Sequence, residues 1–551
     1  MTMKKVAALV GIILLIFPMT GMTVSDKATL FGKTETAAHG DLIAVSLSES
    51  YPTIGQPVHL LITLEGKAEE RFNETITITD EFSGFVMTSG EMQWISSTVI
   101  EYHMNITIGK LPIYTRKIPW YPSVVGNHTF HVTAGSFSEK QLNVSVGFDI
   151  EGIITPSLGC PAIISKDNTT QFSVTLSEER LITEDPAQIT NVTFQSIDGT
   201  SIYDLENQTG VWSTWITSGP DVVEDELIVS YDIQSIPEGF YNLTVTTTSG
   251  NYSWPHAVQL LNTEPTEYKI VQLSDIHIGK YSNIVNKKKE LIRLFTYINE
   301  NIHPAFVILT GDSVDWYNQK STRNVYADLQ EALLHSTSPV YTVPGNHERY
   351  SNSLLFLYFP FTNLTSYHRF LTPLNDYSLN YGNMNFVFLD SGYEYSRWEI
   401  QPQIWNTTPE GSGLTNTQMH LLENILGENQ MNQIIIMHHP AVSGTNDTGL
   451  GALPNNLPSG NNECIAFNRA EFITYCLGHN VSLALSGHTH KNHAFTFLGK
   501  ETINNTAWPL FVHTRSATLS RQDNGGRIIQ IQNSTVVSYE HRPFLEPDDF
   551  F

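Results

Sequence analysis

Five short runs in the C-terminal half hold side chains that bind metal ions and move protons. SDIHIG sets Asp275 and His277 two positions apart, so both side chains leave an extended backbone on one side and can share a cation. In GDSVD, Gly311 permits close backbone approach and the Asp312 carboxylate can bridge two ions, while Asp315 is suited to orienting a ligand from behind. GNHE supplies Asn346, whose amide oxygen suits a hard cation, and His347, which exchanges a proton near neutral pH. MHHP adds His438 and His439, and GHTH adds His488 and His490 with the same chelating spacing. Each run alone is a weak signal. Five unrelated polar turns, however, would crowd carboxylates and imidazoles together with nothing to offset their burial.

These runs need elements that end at one place. Apolar stretches at Ile270 to Leu273, Phe306 to Leu309, Val340 to Val343, Ile434 to Met437 and Leu483 to Leu485 each precede one motif, and Phe386 to Leu389 and Leu510 to Val512 read as further strands. Helical stretches near 287–300, 324–335 and 417–427 fall between them. That alternation predicts α/β layering, with the motifs on loops at one strand edge.

In this order D-x-H, GDxxD, GNHE, HxP and GHxH resemble the calcineurin-like metallophosphoesterase superfamily, over roughly residues 268 to 541. The resemblance implies a four-layer α/β fold holding two divalent metal ions, Mn, Fe or Zn. Asp275, His277, Asp312 and His490 would form one metal site and Asp312, Asn346, His438 and His488 the other, with Asp312 shared. The family's ligand lies two residues before the proline, which selects His438 over His439. His347 matches the family's substrate contact and general acid. The implied reaction is hydrolysis of a phosphomonoester or phosphodiester by metal-activated water, with the cations stabilising charge during in-line attack. Asp315 stands where purple acid phosphatases place a metal-bound tyrosine. Trp316 and Tyr317 replace the Arg-Gly of Ser/Thr protein phosphatases, and the cysteine-rich and C-terminal modules of sphingomyelinases and nucleotidases have no counterpart. Broad-specificity phosphatases and phosphodiesterases are the nearer comparison. A surface-binding protein with a relic enzyme domain is the competing class.

Aromatic residues gather at Tyr350, Phe356, Tyr358, Phe359 and Phe361, and again at Tyr393, Tyr395, Trp398 and Trp405. They can wall a substrate or simply pack insertions onto the core. Residues 443–462, rich in Gly, Asn and Pro, read as a long loop, either a lid or an inert excursion.

Upstream, alternating apolar residues such as Val58, Leu60, Ile62 and Leu64, or Phe172, Val174 and Leu176, predict two tandem Ig-like β-sandwiches at 27–150 and 151–262, before the α/β domain at 266–541 and a tail at 542–551. Residues 1–262 hold ten asparagines, nine of them in N-x-Ser/Thr sequons: Asn73, Asn105, Asn127, Asn143, Asn168, Asn191, Asn207, Asn242 and Asn251. Asn105, Asn143, Asn191 and Asn242 alternate with apolar neighbours, so they are expected on the solvent face as carriers of N-linked glycans. Six further sequons, at Asn363, Asn406, Asn446, Asn480, Asn504 and Asn533, lie downstream. Lys4 and Lys5 before the apolar run Val6 to Phe17 have the layout of a secretory signal over 1–25, cleaved or kept as an N-terminal anchor, so the protein is expected outside the cell or at its surface. A net charge of −25 argues against nucleic-acid polymers as partners and leaves a small phosphate ester as substrate. Cys160, Cys464 and Cys476 are too few for a disulfide framework and read as buried free thiols.

Overall fold

The computed structural model describes residues 41–544, apart from position 57, 66–71, 109–112, 135–137, 206, 220–221, 280–285, 316–321, 350–363, 393–410, 429, 444–463, 503–507 and 519–523. The expected signal at 1–25, Trp316, Tyr317, both aromatic-rich stretches, the loop from 444, the sequon asparagines Asn363, Asn406, Asn446 and Asn504, and the end of the tail lie outside the described residues.

The C-terminal region is built on two sheets. In the first, β1 (Glu267–Leu273), β2 (Phe306–Leu309) and β3 (Val340–Thr342) run parallel, and β1 also pairs antiparallel with a later strand, Gly525–Gln532, which pairs in turn with Thr535–Pro543. In the second, β4 (Tyr377–Tyr381) pairs antiparallel with β5 (Met384–Phe388), which leads through β6 (Asn432–Ile436), β7 (Val481–Ser486) and the strand Leu510–His513 in parallel. The apolar runs are continuous because both faces of each sheet are covered. Ile270, Phe306, Ile308, Phe386, Ile434, Ile436 and Leu483 fill the space between the sheets. Their neighbours Val271, Leu273, Val307 and Leu309 face helices α1 (Lys287–Asn301) and α2 (Thr322–Leu333), with α3 (Thr365–Phe370) packed beside α2, while Val387, Ile435 and Met437 face α4 (Asn416–Leu421) and α5 (Arg469–Gly478). The expected α/β/β/α layering is therefore present.

Capping starts the helices where the sequence supplies it. The Asn286 side chain accepts from Lys289 N at 3.2 Å before α1, and Thr415 forms a capping box with Gln418 before α4, which continues as a π turn to Leu426.

Upstream lie two sandwiches. The sheet of Asp41–Leu47, Val58–Glu65 and Ile113–Trp120 faces the strands Phe72–Thr88, Val125–Ala134 and Lys140–Val146 across Leu60, Ile62, Ile76, Ile78, Phe130 and Val132. A second pair of sheets, spanning Gly152 to Leu261, encloses Phe172, Val174, Val192, Phe194, Val229 and Leu243. The first sandwich is not a separate body. Its strand Phe72–Thr88 lies parallel to β4 at Met87 and Tyr377, so one ten-stranded sheet runs through both units. The turn after that strand is pinned, with Ser89 N donating to Ser378 Oγ at 2.9 Å and Ser89 Oγ to Glu428 Oε1 at 3.0 Å. Phe85, Met87 and Cys160 enter the core between the two C-terminal sheets.

All three cysteines are buried, and none of them forms a disulfide among the described residues. Asn127, Asn143 and Asn191 are exposed as expected. Asn242 departs from expectation: it is half-buried, because a register shift after Tyr241 turns the chain so that its Oδ1 accepts from His256 N at 2.9 Å. The side chain of Asn105 lies outside the described residues. Among the described residues no helix is long and apolar enough to cross a membrane.

Candidate metal centre

Each motif begins where a strand ends: SDIHIG after β1, GDSVD after β2, GNHE after β3, MHHP after β6 and GHTH after β7. The chain there adopts backbone angles that side chains normally avoid. Asp275, His277, Asp312, His488 and His490 all have positive φ, between 51° and 65°. A left-handed residue costs about 1–2 kcal/mol, and five in one cluster persist only because their surroundings hold them. Asp275 N bonds to Gly311 O at 3.1 Å and His277 N to Asp312 O at 2.8 Å, tying the first two loops side by side. Ser516 Oγ and Thr518 Oγ1 donate to the carbonyls of Asp275 and Ile276 at 2.6 and 2.7 Å. The packing leaves no space for added atoms: a Cβ on Gly345 would stand 2.3 Å from Asp312 Oδ1, and one on Gly487 2.7 Å from Asp275 Oδ2.

The structure brings all eight expected residues into one cluster. His490 Nε2 lies 3.2 Å from Asp275 Oδ1 and 3.3 Å from His277 Nε2. On the other side His438 Nε2 lies 2.9 Å from Asn346 Oδ1 and 3.3 Å from Asp312 Oδ1, and the His438 and His488 rings are 5.1 Å apart. Between the two halves sits Asp312. Its Oδ1 faces His438, and its Oδ2 is 3.9 Å from His277 Nε2 and 3.8 Å from His347 Nε2. His347 Nδ1 is 3.5 Å from Asp315 Oδ1, which places Asp315 behind the imidazole.

Charge explains what this cluster requires. His438 Nδ1 bonds the Thr310 carbonyl at 2.7 Å, so its Nε2 alone is aimed at the oxygens of Asn346 and Asp312. Burial lowers the His438 pKa, but the Asp312 carboxylate outweighs it and carries the group up to about 10. Burial would raise Asp312 too, yet the surrounding imidazoles hold it well below the usual carboxylate range. His277 behaves oppositely, pushed by burial down to about 3 and so held neutral, as a ligand must be. His347 is raised: burial lowers it, but the charges of Asp312 and Asp315 prevail. A nitrogen facing two oxygens in a buried site needs a positive charge between them, either its own proton or a metal ion. The mixed nitrogen and oxygen donors fit Mn, Fe or Zn. Ligand atoms of Asp275, His277 and His490, and of Asp275, Asp312 and His438, lie within 4.8 Å of one another.

His438 faces Asn346 and Asp312, while His439 bonds Ser391 Oγ through Nδ1 at 2.9 Å, and ligand atoms of His438, His439 and His488 also lie within 4.8 Å of one another. Sequence reasoning missed Glu348. Its buried carboxylate accepts from Asp312 N at 2.8 Å, Ser313 N at 2.7 Å, Val314 N at 3.3 Å and Gly345 N at 2.7 Å, fastening the GDSVD loop to the GNHE loop. It also missed the buried ion pair between Arg349 and Asp390, which joins the ends of β3 and β5. Asp390 follows an apolar run just as Asp312 does, and that signal was available.

A family model described as calcineurin-like phosphoesterase matches residues 268–492. A probable cyclic nucleotide phosphodiesterase of Coxiella burnetii is 26% identical over 249 residues, covering 42% of this chain and 78% of that protein. Among solved structures, a Paenibacillus cycloisomaltooligosaccharide glucanotransferase is 13% identical over 23% of this chain and 16% of its own, with a TM-score of 0.16. A titin Ig tandem is 10% identical over 40% of this chain and 98% of its own, with a TM-score of 0.15. This chain spans between 16% and 31% of the first four structures it matches, and at such scores the likeness carries no argument. The family match and the curated relative support a metal-dependent phosphoester hydrolase, and residues 268–492 are a calcineurin-like phosphoesterase domain.

Proposed function

We propose that the protein is an exported bimetallic hydrolase of small phosphate esters, with a phosphodiester as the favoured substrate. The observation that carries this reading is Asp312, whose two carboxylate oxygens face opposite halves of the cluster. Asp275, His277 and His490 would hold one cation on the Oδ2 side, and Asn346, His438 and His488 the other on the Oδ1 side. When bound, such a pair supplies Lewis acidity, an activated water and charge neutralisation for the phosphoryl group.

The chain's own residues supply the rest. Asp312 and Asp315 raise the His347 pKa, which favours its protonated form and supports a role in donating a proton to the leaving oxygen. Asp315 holds the ring from behind. Thr310, through its carbonyl, fixes which His438 nitrogen faces the centre. The diester preference rests on the relative named for cyclic nucleotides, and the net charge of −25 favours a small substrate over a polymer. Export, with N-linked glycans, rests on the apolar N-terminal run and the sequons.

The test compares wild type, Asp312→Ala and His347→Ala for bound metal and for hydrolysis of nitrophenyl monoesters and diesters with Mn, Fe or Zn. Asp312→Ala should lose both metal and turnover. His347→Ala should keep its metal and lose about 10²–10⁴ in kcat. Wild-type protein that binds no metal and cleaves neither ester sinks the proposal and favours a surface-binding role.

A further inference from the structure

The sequons of the first sandwich are arranged in a way that their sequence alone does not reveal. Asn127-His128-Thr129 and Asn143-Val144-Ser145 lie on adjacent antiparallel strands, with Asn127 opposite Ser145 and Thr129 opposite Asn143. Each sequon therefore meets the other head to tail. Ser145 Oγ donates to Asn127 Oδ1 at 3.0 Å, and Thr129 Oγ1 donates to Asn143 Oδ1 at 3.2 Å. Gln141 Nε2 adds a second bond to Asn143 Oδ1 at 3.1 Å. The neighbouring hairpin repeats the register, with Asn73 opposite Thr107 and Thr75 opposite Asn105. No register shift separates Ile76 from Phe85 along the strand pair that joins the two hairpins, and Asn127 and Asn143 are exposed on the face away from the core.

We infer that this face carries N-linked oligosaccharides on the reciprocal sequon pair Asn127 with Asn143. In the attachment the asparagine Nδ2 loses one proton and gains a bond to the anomeric carbon of an oligosaccharide. The sugar's bond to a polyprenyl phosphate donor breaks, and the phosphate leaves with the electron pair. The amide oxygen is untouched, so the bond from the facing hydroxyl survives modification. Asn127 and Asn143 are exposed, and both of their bonded atoms are oxygens. Other sequons differ. Asn191 Nδ2 is engaged with Asp204 Oδ1 at 3.2 Å, and Asn242 is half-buried. In the second sandwich Asn191 faces Thr246 and Asn242 faces Gln195, so these two do not form a reciprocal pair.

The same pattern could serve only as a polar cross-strand ladder, each pair contributing about 0.2–1 kcal/mol. Glycopeptide mass spectrometry separates the two. The inference rests on the proposed export and not on hydrolysis, so the full chain is secreted from a glycosylating host twice, once with its own N-terminal segment and once with residues 1–25 replaced by the host's signal. Glycan is expected at Asn127 and Asn143 in the second preparation. Ser145→Ala should remove it from Asn143 and leave it on Asn127, whereas Ser145→Thr should retain both. Unmodified Asn127 and Asn143 in the secreted protein, or an Asn143 glycan that survives Ser145→Ala, would overturn the inference. Diester hydrolysis by the same preparations reads the catalytic proposal independently.

Discussion

Glu348 is the residue on which the geometry of Asp312 depends. One carboxylate receives four backbone N–H groups from two loops, and burial, with the Asp312 charge, raises its pKa even so. Glu348→Gln would turn an amide donor toward backbone donors in a buried site, at about 1–3 kcal/mol. We expect a lower melting temperature and metal affinity reduced about 10–100-fold, the usual cost of losing a group that orients ligands. Titration calorimetry with Mn or Zn measures it, and unchanged affinity would show that Asp312 needs no brace. At this scale the sequence disclosed chemistry and concealed strain. Asp275, His277, Asp312, His488 and His490 were readable from type and spacing, but positive φ at five of them was not, because only glycine announces that conformation in a sequence.

Among elements, strands buried on both faces were the easiest to read, since β1, β2, β6 and β7 each carry a short, mostly apolar buried stretch. Helix α5 was missed because Phe472, Ile473, Tyr475 and Cys476 are all buried and blur the helical period, and the strand Thr535–Pro543 because its alternation is mostly polar. Contacts between distant elements left no local trace. An example is His368 on α3, whose Nδ1 meets Asp149 at 2.6 Å, in the segment joining the two sandwiches, and whose Nε2 meets Asn375 at 2.8 Å. Burial lowers the His368 pKa, but the Asp149 charge prevails and the net shift is upward. A histidine raised in the fold adds stability that is full below its unfolded value of about 6.5 and is lost as pH rises through its folded value. Urea unfolding of wild type and His368→Gln at about pH 5.5 and about pH 8.5 should show an advantage for wild type that shrinks at the higher pH. A gap independent of pH would refute the ion pair.

At the scale of the molecule, the family match begins at residue 268, yet the cores do not stop there. Phe85, Met87 and Cys160 pack between the catalytic sheets, and the Gly159 carbonyl accepts from Thr342 N at 2.9 Å. We expect residues 266–551 expressed alone to be degraded by protease under conditions that the full chain resists, because removing residues 41–265 strips those groups and bares the edge of β4. Equal resistance would show that the domain folds independently. The shared sheet also sets a timetable. Ser89 and its partner Ser378 are 289 residues apart. At a synthesis rate of about 5–20 residues per second, the strand Phe72–Thr88 waits about 15 to 60 s before its neighbour β4 leaves the ribosome. For that interval only the end of the strand, around Met87, lacks its neighbour, because Glu91–Ile108 and Val125–Ala134 already pair along its two sides. The seam between the two halves, Met87 beside Tyr377 and Ser89 on Ser378, is therefore the last part of this sheet that synthesis allows to close.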